Sequence, residues 1–148
     1  MSRMNQLLEK LGARSLPVKW TAAALATTYT NVIAKAHQYI YPQNGFWVHN
    51  SQNGFMVRRT IQSNVNVGFY LDMFDKLLWK DKPQTDDVAV IAGSGLGEEA
   101  LLMSNLVGPK GKVIALEPDI MSYGCHKLSV QMNKTPNTVV KQVALTAH

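Results

Sequence analysis

The stretch DVAVIAGSGLG, Asp87 to Gly97, decides how this chain is read. The apolar run Val88 to Ala92 predicts a buried strand. Gly93, Gly95 and Gly97 then break it, and EEALLMSNL over 98–106 returns to helical spacing. A strand that feeds a glycine turn and then a helix presents backbone N–H groups at a helix N-terminus. Glycine has no Cβ, so a ligand can approach such a turn closely.

Toward the C-terminus the pattern repeats. Gly108-Pro109-Lys110-Gly111 makes a turn, and Lys112 to Leu116 is a second apolar strand that ends at Glu117-Pro118. Residues 119–133 read as a helix closed near Asn133, and Val139 to Leu145 as a third strand. Apolar strands alternating with helices predict an α/β fold: a Rossmann-like βαβαβ half-sheet, strand order 3-2-1, covered on both faces. Glu117 stands twenty positions after Gly97. In a right-handed βαβ unit the ends of the first two strands lie side by side. A carboxylate there can accept hydrogen bonds from both hydroxyls of a ribose, so the turn and Glu117 together predict an adenosine-type site.

The turn also bears on which cofactor would fit. A dinucleotide fingerprint needs a third glycine or alanine where this chain has Glu98. A carboxylate at the helix start would repel a pyrophosphate. S-adenosylmethionine carries no phosphate and has a positive sulfonium, so it is favoured over NAD. The competing explanation is a plain strand-to-helix connection in which Glu98 and Glu99 complement the helix dipole.

Toward the N-terminus, residues 2–12 read as a short helix, with Gly12 just past its end. Residues 18–41 read as a long helix whose apolar stripe is Ala22, Leu25, Tyr29, Val32, Ile33, Ala36 and Ile40, closed by Gln43-Asn44-Gly45. Phe46–His49 and Phe55–Arg58, separated by a run of turn formers, predict a β-hairpin. Residues 69–80 return to helical spacing and 81–86 form a linker. The expected division is an N-terminal helical and hairpin extension, 1–85, and a partial cofactor-binding domain, 86–148.

Composition narrows the classes. At 148 residues with 46% apolar content the chain can build a real core, and it is neither disordered nor low-complexity. With Cys125 as its one cysteine, no intrachain disulfide or multi-cysteine zinc site can form, so no metal is expected. The formal charge is +5, and residues 1–80 hold nine Lys/Arg against three Asp/Glu. Those charges are dispersed, which favours a solvated surface over nucleic acid. A stacking surface of Trp47, Phe55, Arg58 and Arg59 is the alternative. His37 reads as a helix-face residue and His49 as an exposed one. His126 cannot face its neighbour Cys125 on a helix. Trp20, Trp47 and Trp79 read as core or interface anchors. No membrane span or secretory signal is evident, so a cytoplasmic location is expected.

The run DVAVIAGSGLGEEALLMSNLVGPKGKVIALEPDIMSYGCHKLSVQMNKTPNTVVKQVAL resembles the FkbM family of S-adenosylmethionine-dependent methyltransferases over about residues 86–146. The shared features are the glycine turn with its following glutamate, VGPKGKVIALEP, and Asn133 shortly before the third strand. The hairpin and helix before it are similar to that family's N-terminal extension. The resemblance implies a class I, Rossmann-like methyltransferase that O-methylates a hydroxyl of a small molecule or sugar. It places Gly93, Ser94, Gly95, Gly97 and Glu98 on the cofactor loop, and Glu117, followed by Pro118, at the ribose. Two departures stand out. Ile91 occupies a position where the family usually has an aspartate that helps hold the cofactor's amino-acid end. The chain also stops after the third of seven strands, normally ordered 3-2-1-4-5-7-6. The catalytic residues are therefore not assigned, and the first strand's far edge is left open. The expectation is a fragment or degenerate version of a longer enzyme, holding only its cofactor-binding half; the alternatives are cover by the N-terminal hairpin and helices, or pairing with a second copy through the open edge. A non-catalytic Rossmann-like binding or assembly module is the alternative function.

Overall fold

The computed structural model describes residues 3–12, 15–33, 35, 37–51, 54–61 and 82–145. The chain divides into two compact units, Met1–Phe69 and Tyr70–His148. The expected helix over 69–80, and Trp79 with it, lies outside the described residues.

The first unit contains α1 (Arg3–Gly12), α2 (Leu16–Ile33), β1 (Gln38–Gln43), β2 (Phe46–Ser51) and β3 (Gly54–Arg58). The strands form an antiparallel sheet in the order β1-β2-β3. The predicted hairpin is present as β2 and β3, with Trp47 opposite Arg58 and Val48 opposite Val57. The predicted helix over 18–41 is not continuous. It ends at Ile33, and its last residues form β1. Lys35 and His37 take left-handed backbone angles (φ 49° and 47°), which helical propagation cannot pass through. Asn44 and Gly45, also left-handed, are the two-residue turn joining β1 to β2 rather than a helix stop.

The helix also turns a different face inward. Leu25, Val32 and Ile33 are exposed, whereas Ala22, Ala23, Ala26 and Thr30 are buried. Three alanines let the helix approach the sheet closely, and the core they share is Leu8, Ile40, Trp47 and Ile61. Two side chains of α2 extend the contact by acting as strand partners. Asn31 accepts from Gln38 N (2.9 Å) and donates to Gln38 O (2.8 Å). Thr27 Oγ1 accepts from Ile40 N at 2.9 Å. These bonds satisfy backbone groups on the outer edge of β1.

The polar residues of this sheet are less exposed than expected. His49 is 2% exposed, and Arg58 and Gln38 are buried on the same sheet face. Trp47 and Arg58 are buried while Phe55 lies on the opposite face, so the stacking surface considered above does not exist. Trp20 is exposed.

The second unit contains β4 (Val88–Ala92), α3 (Glu98–Val107), β5 (Lys112–Leu116), α4 (Ile120–Asn133) and β6 (Thr138–Lys141). The strands are parallel, and the order β4-β5-β6 is the predicted 3-2-1 arrangement. The third strand begins and ends earlier than expected, and 142–145 are not strand. Asp119 caps α4, its side chain accepting from Ser122 N at 2.7 Å. Lys134, in left-handed geometry, closes the helix one residue past Asn133. Asn137 ties the end of α3 to the entry of β6, donating to Ser104 O and Gly108 O and accepting from Ser104 Oγ.

The expectation of helices on both faces is not met among the described residues. Ile91, Val113 and Ala115 pack against Ala100 and Val107 of α3. On the other face Val88 and Val90 are 63% and 62% exposed. The reason is topological. Right-handed crossovers that step twice in the same direction place both helices on one side of the sheet.

Candidate functional site

The site is built where β4 and β5 end. Beyond Ala92 the loop is fastened to the neighbouring strand, since Gly93 N and Ser94 N both donate to Leu116 O (2.8 and 3.0 Å). A tight turn follows, closed by Gly97 N donating to Ser94 O at 3.1 Å. Gly97 then starts α3 at φ 102°. On the β5 side, Glu117 continues the ladder to the third strand by donating from its N–H to Lys141 O (3.0 Å). Both partners of the site are therefore held by sheet hydrogen bonds before any side chain acts.

Glu117 is 7% exposed, and its carboxylate bridges the two strand ends. Oε2 accepts from Gly95 N at 2.7 Å, and Oε1 accepts from Asp119 N at 2.9 Å. These are short charge-assisted bonds that fix the orientation of the carboxylate. Each carboxylate oxygen has two lone-pair directions, so each retains acceptor capacity beyond the one bond it makes here.

The three glycines are not equivalent. A Cβ added at Gly93 or Gly95 would meet nothing within 4 Å, whereas one at Gly97 would lie 2.3 Å from the ring of His126. Gly93 and Gly95 thus border open space beside the carboxylate, while Gly97 is closed from behind by α4. All three have positive φ, which other residues adopt only with strain.

Sequence reasoning missed His126. It is fully buried, and its Nδ1 lies 3.1 Å from Ser94 Oγ. Its Nε2 is buried without a hydrogen-bond partner among the described residues. Burial pushes its pKa down to about 4, partly opposed by the nearby Glu117 carboxylate, so the ring is neutral at pH 7. Nothing local in the sequence singles it out, because its partners lie some thirty residues upstream.

The remaining predicted positions fall as follows. Ser94 is buried, and its hydroxyl faces His126 rather than the open side. Glu98 opens α3 half-buried, and Pro118 is exposed beside Glu117. Ile91, where the family resemblance expects an aspartate, lies in the apolar cluster under α3. Among the described residues no group of three His, Cys, Asp or Glu side chains is placed to hold a metal. No helix among them is long and apolar enough to cross a membrane.

No protein-family model and no curated protein matches the chain. Solved structures do resemble it. A protein-L-isoaspartate O-methyltransferase matches at 18% identity over 96% of this chain and 41% of its own, with a TM-score of 0.45. TYW2 of P. horikoshii, in complex with MeSAdo, matches at 18% identity over 86% of this chain and 48% of its own (TM-score 0.49). Fibrillarin of Aeropyrum pernix, with natively bound S-adenosyl-L-methionine, matches at 11% identity over 71% and 56% (TM-score 0.41). The chain spans less than half the length of the first two. The Rossmann-like character of the second unit rests on its own parallel 3-2-1 strand order, with a helix between each pair of consecutive strands.

Proposed function

We propose that the second unit binds S-adenosylmethionine and belongs to a methyltransferase of class I type, with an FkbM-like O-methylation of a small-molecule or sugar hydroxyl as the specific activity. The observation that carries this reading is the Glu117 carboxylate, held at 2.7 Å from Gly95 N at the mouth of an open glycine loop. The residues present suit the cofactor. Glu117 keeps an acceptor position on each oxygen for the two ribose hydroxyls. The open flank at Gly93 and Gly95 leaves room for the methionine end to lie against backbone. Glu98 at the start of α3 disfavours a pyrophosphate and so a dinucleotide. When bound, the cofactor supplies an electrophilic methyl group. The chain's part is to fix the adenosyl end so that an acceptor oxygen meets that methyl in line. Near the loop, His126 is fully buried and cannot reach an acceptor, so no base is assigned.

A non-catalytic binding module is the second reading, favoured by Ile91, which offers no charge to the cofactor's amino-acid end. Calorimetric titration with S-adenosylmethionine, S-adenosylhomocysteine and NADH tests the first reading. We expect saturable binding of the two adenosyl compounds and none of NADH. In Glu117→Ala, loss of a charged hydrogen-bonding partner should weaken binding by about tenfold or more. Tighter binding of NADH, or affinity untouched in Glu117→Ala, overturns it. Methyl transfer to a panel of hydroxylated acceptors then separates enzyme from binder.

A further inference from the structure

We propose that His126 is the positioning residue of the glycine loop: wedged beneath Gly97 and hydrogen-bonded to Ser94, its ring sets the turn that carries the Gly95 N–H onto Glu117. The ring touches both ends of that turn. At one end, its Cδ2, Nε2 and Cγ atoms lie 2.3, 2.6 and 2.8 Å from where a Cβ on Gly97 would stand, so only a hydrogen fits between helix and loop. At the other end, Nδ1 is 3.1 Å from Ser94 Oγ. Gly95 lies between these two anchors, and its N–H is the one that reaches Glu117.

The chemistry of the ring supports a role beyond filling space. An apolar side chain would fill the same volume with no polar atom to satisfy. Here an imidazole is kept although its Nε2 is buried and unpartnered among the described residues. The tautomer that leaves no buried donor unpaired carries its hydrogen on Nδ1, so His126 donates to Ser94 Oγ and Nε2 holds only a lone pair. That bond gives the polar ring a function, since it fixes the rotamer of Ser94 and so the start of the turn. His126 meets the loop at Ser94 and Gly97, whereas a Cβ at Gly93 or Gly95 would meet nothing within 4 Å. It therefore shapes the site without touching a ligand there.

The effect on the loop stands by itself, and the effect on affinity rests on the cofactor reading above. The test compares His126→Asn with His126→Gln, and adds Ser94→Ala in case the histidine variants fold poorly. The asparagine carboxamide occupies the place of Nδ1, and the longer glutamine carries its carboxamide to the place of Nε2. Hydrogen exchange of the Gly95 amide is followed by NMR, with calorimetric titration of S-adenosylhomocysteine alongside. We expect His126→Asn to stay within about threefold of the unmodified chain in both readouts. His126→Gln and Ser94→Ala should each speed Gly95 exchange and weaken binding by about tenfold. A purely structural role would move Asn and Gln together. Equal Gly95 exchange in Asn, Gln and the unmodified chain overturns the proposal. If exchange separates Asn from Gln but the unmodified chain does not bind S-adenosylhomocysteine, positioning stands and the cofactor reading falls. If the unmodified chain binds it but exchange moves equally in Asn and Gln, positioning falls and the cofactor reading stands.

Discussion

His49 in the first unit and His126 in the second invite comparison. Both are buried, both have Nδ1 beside one oxygen, and both leave Nε2 unpartnered among the described residues. Burial lowers the pKa of His49 to about 3, with Arg58 adding to the effect, and that of His126 to about 4. Their settings differ. His49 lies in a sheet face covered by α2, with Gln38 Oε1 at a long 3.4 Å and no loop to shape. His126 presses on a glycine turn that ends in a carboxylate. Burial and a displaced pKa are thus properties of packing, and they acquire functional meaning only through what the ring touches.

The sharpest way to break the comparison is to add one carbon against the His126 ring and one at a left-handed turn of the first unit where the added carbon meets nothing. Gly97→Ala forces a Cβ into the His126 ring at a left-handed backbone position. It should cost more than about 3 kcal/mol, read by chemical denaturation. Gly45→Ala, in the β1–β2 turn, has the same left-handed problem but nothing within 4 Å. It should cost only about 1 kcal/mol. Similar costs at the two sites would remove the argument that His126 is a wedge.

Acid tests both histidines together. Above the ordinary histidine pKa of about 6.5 each ring is neutral whether the chain is folded or unfolded, and its stabilising effect is fully present. As pH falls below that value the unfolded chain takes up protons that the folded chain refuses. Stability is then lost down to about pH 4 for His126 and about pH 3 for His49. The loss at the end of each window is on the order of 3 kcal/mol for His126 and on the order of 5 kcal/mol for His49. Denaturation midpoints at pH 7 and pH 4.5 measure it, and a flat profile would contradict the burial of both rings. The smallest effect is expected from His49→Gln on ligand affinity. Binding of S-adenosylhomocysteine should stay within about twofold, and a tenfold loss would erase the distinction between the two histidines.

Much of the second unit was legible in the sequence. The apolar runs 88–92 and 112–116 and the glycines between them are local signals, and parallel strands buried by crossover helices need just such runs. The meeting of Glu117 with the loop follows from spacing and crossover handedness. The first unit was harder to read. The pattern over 18–41 fits helical spacing, but it does not reveal that left-handed residues at 35 and 37 divide a helix from a strand. The Asn44-Gly45 pair was the clue to a hairpin, and its neighbourhood with a helix-like stripe concealed it.

The sequence by itself determined the order of elements around the loop, the glycines that the loop requires and the acid that faces it, because each is set by short-range geometry. Only the tertiary structure decided which glycine faces open space and which faces a ring. It also decided that two helices share one face of the sheet, and that His49 and His126 are interior. Those outcomes depend on side chains far apart in the chain arriving at one place, and no local pattern records that arrival.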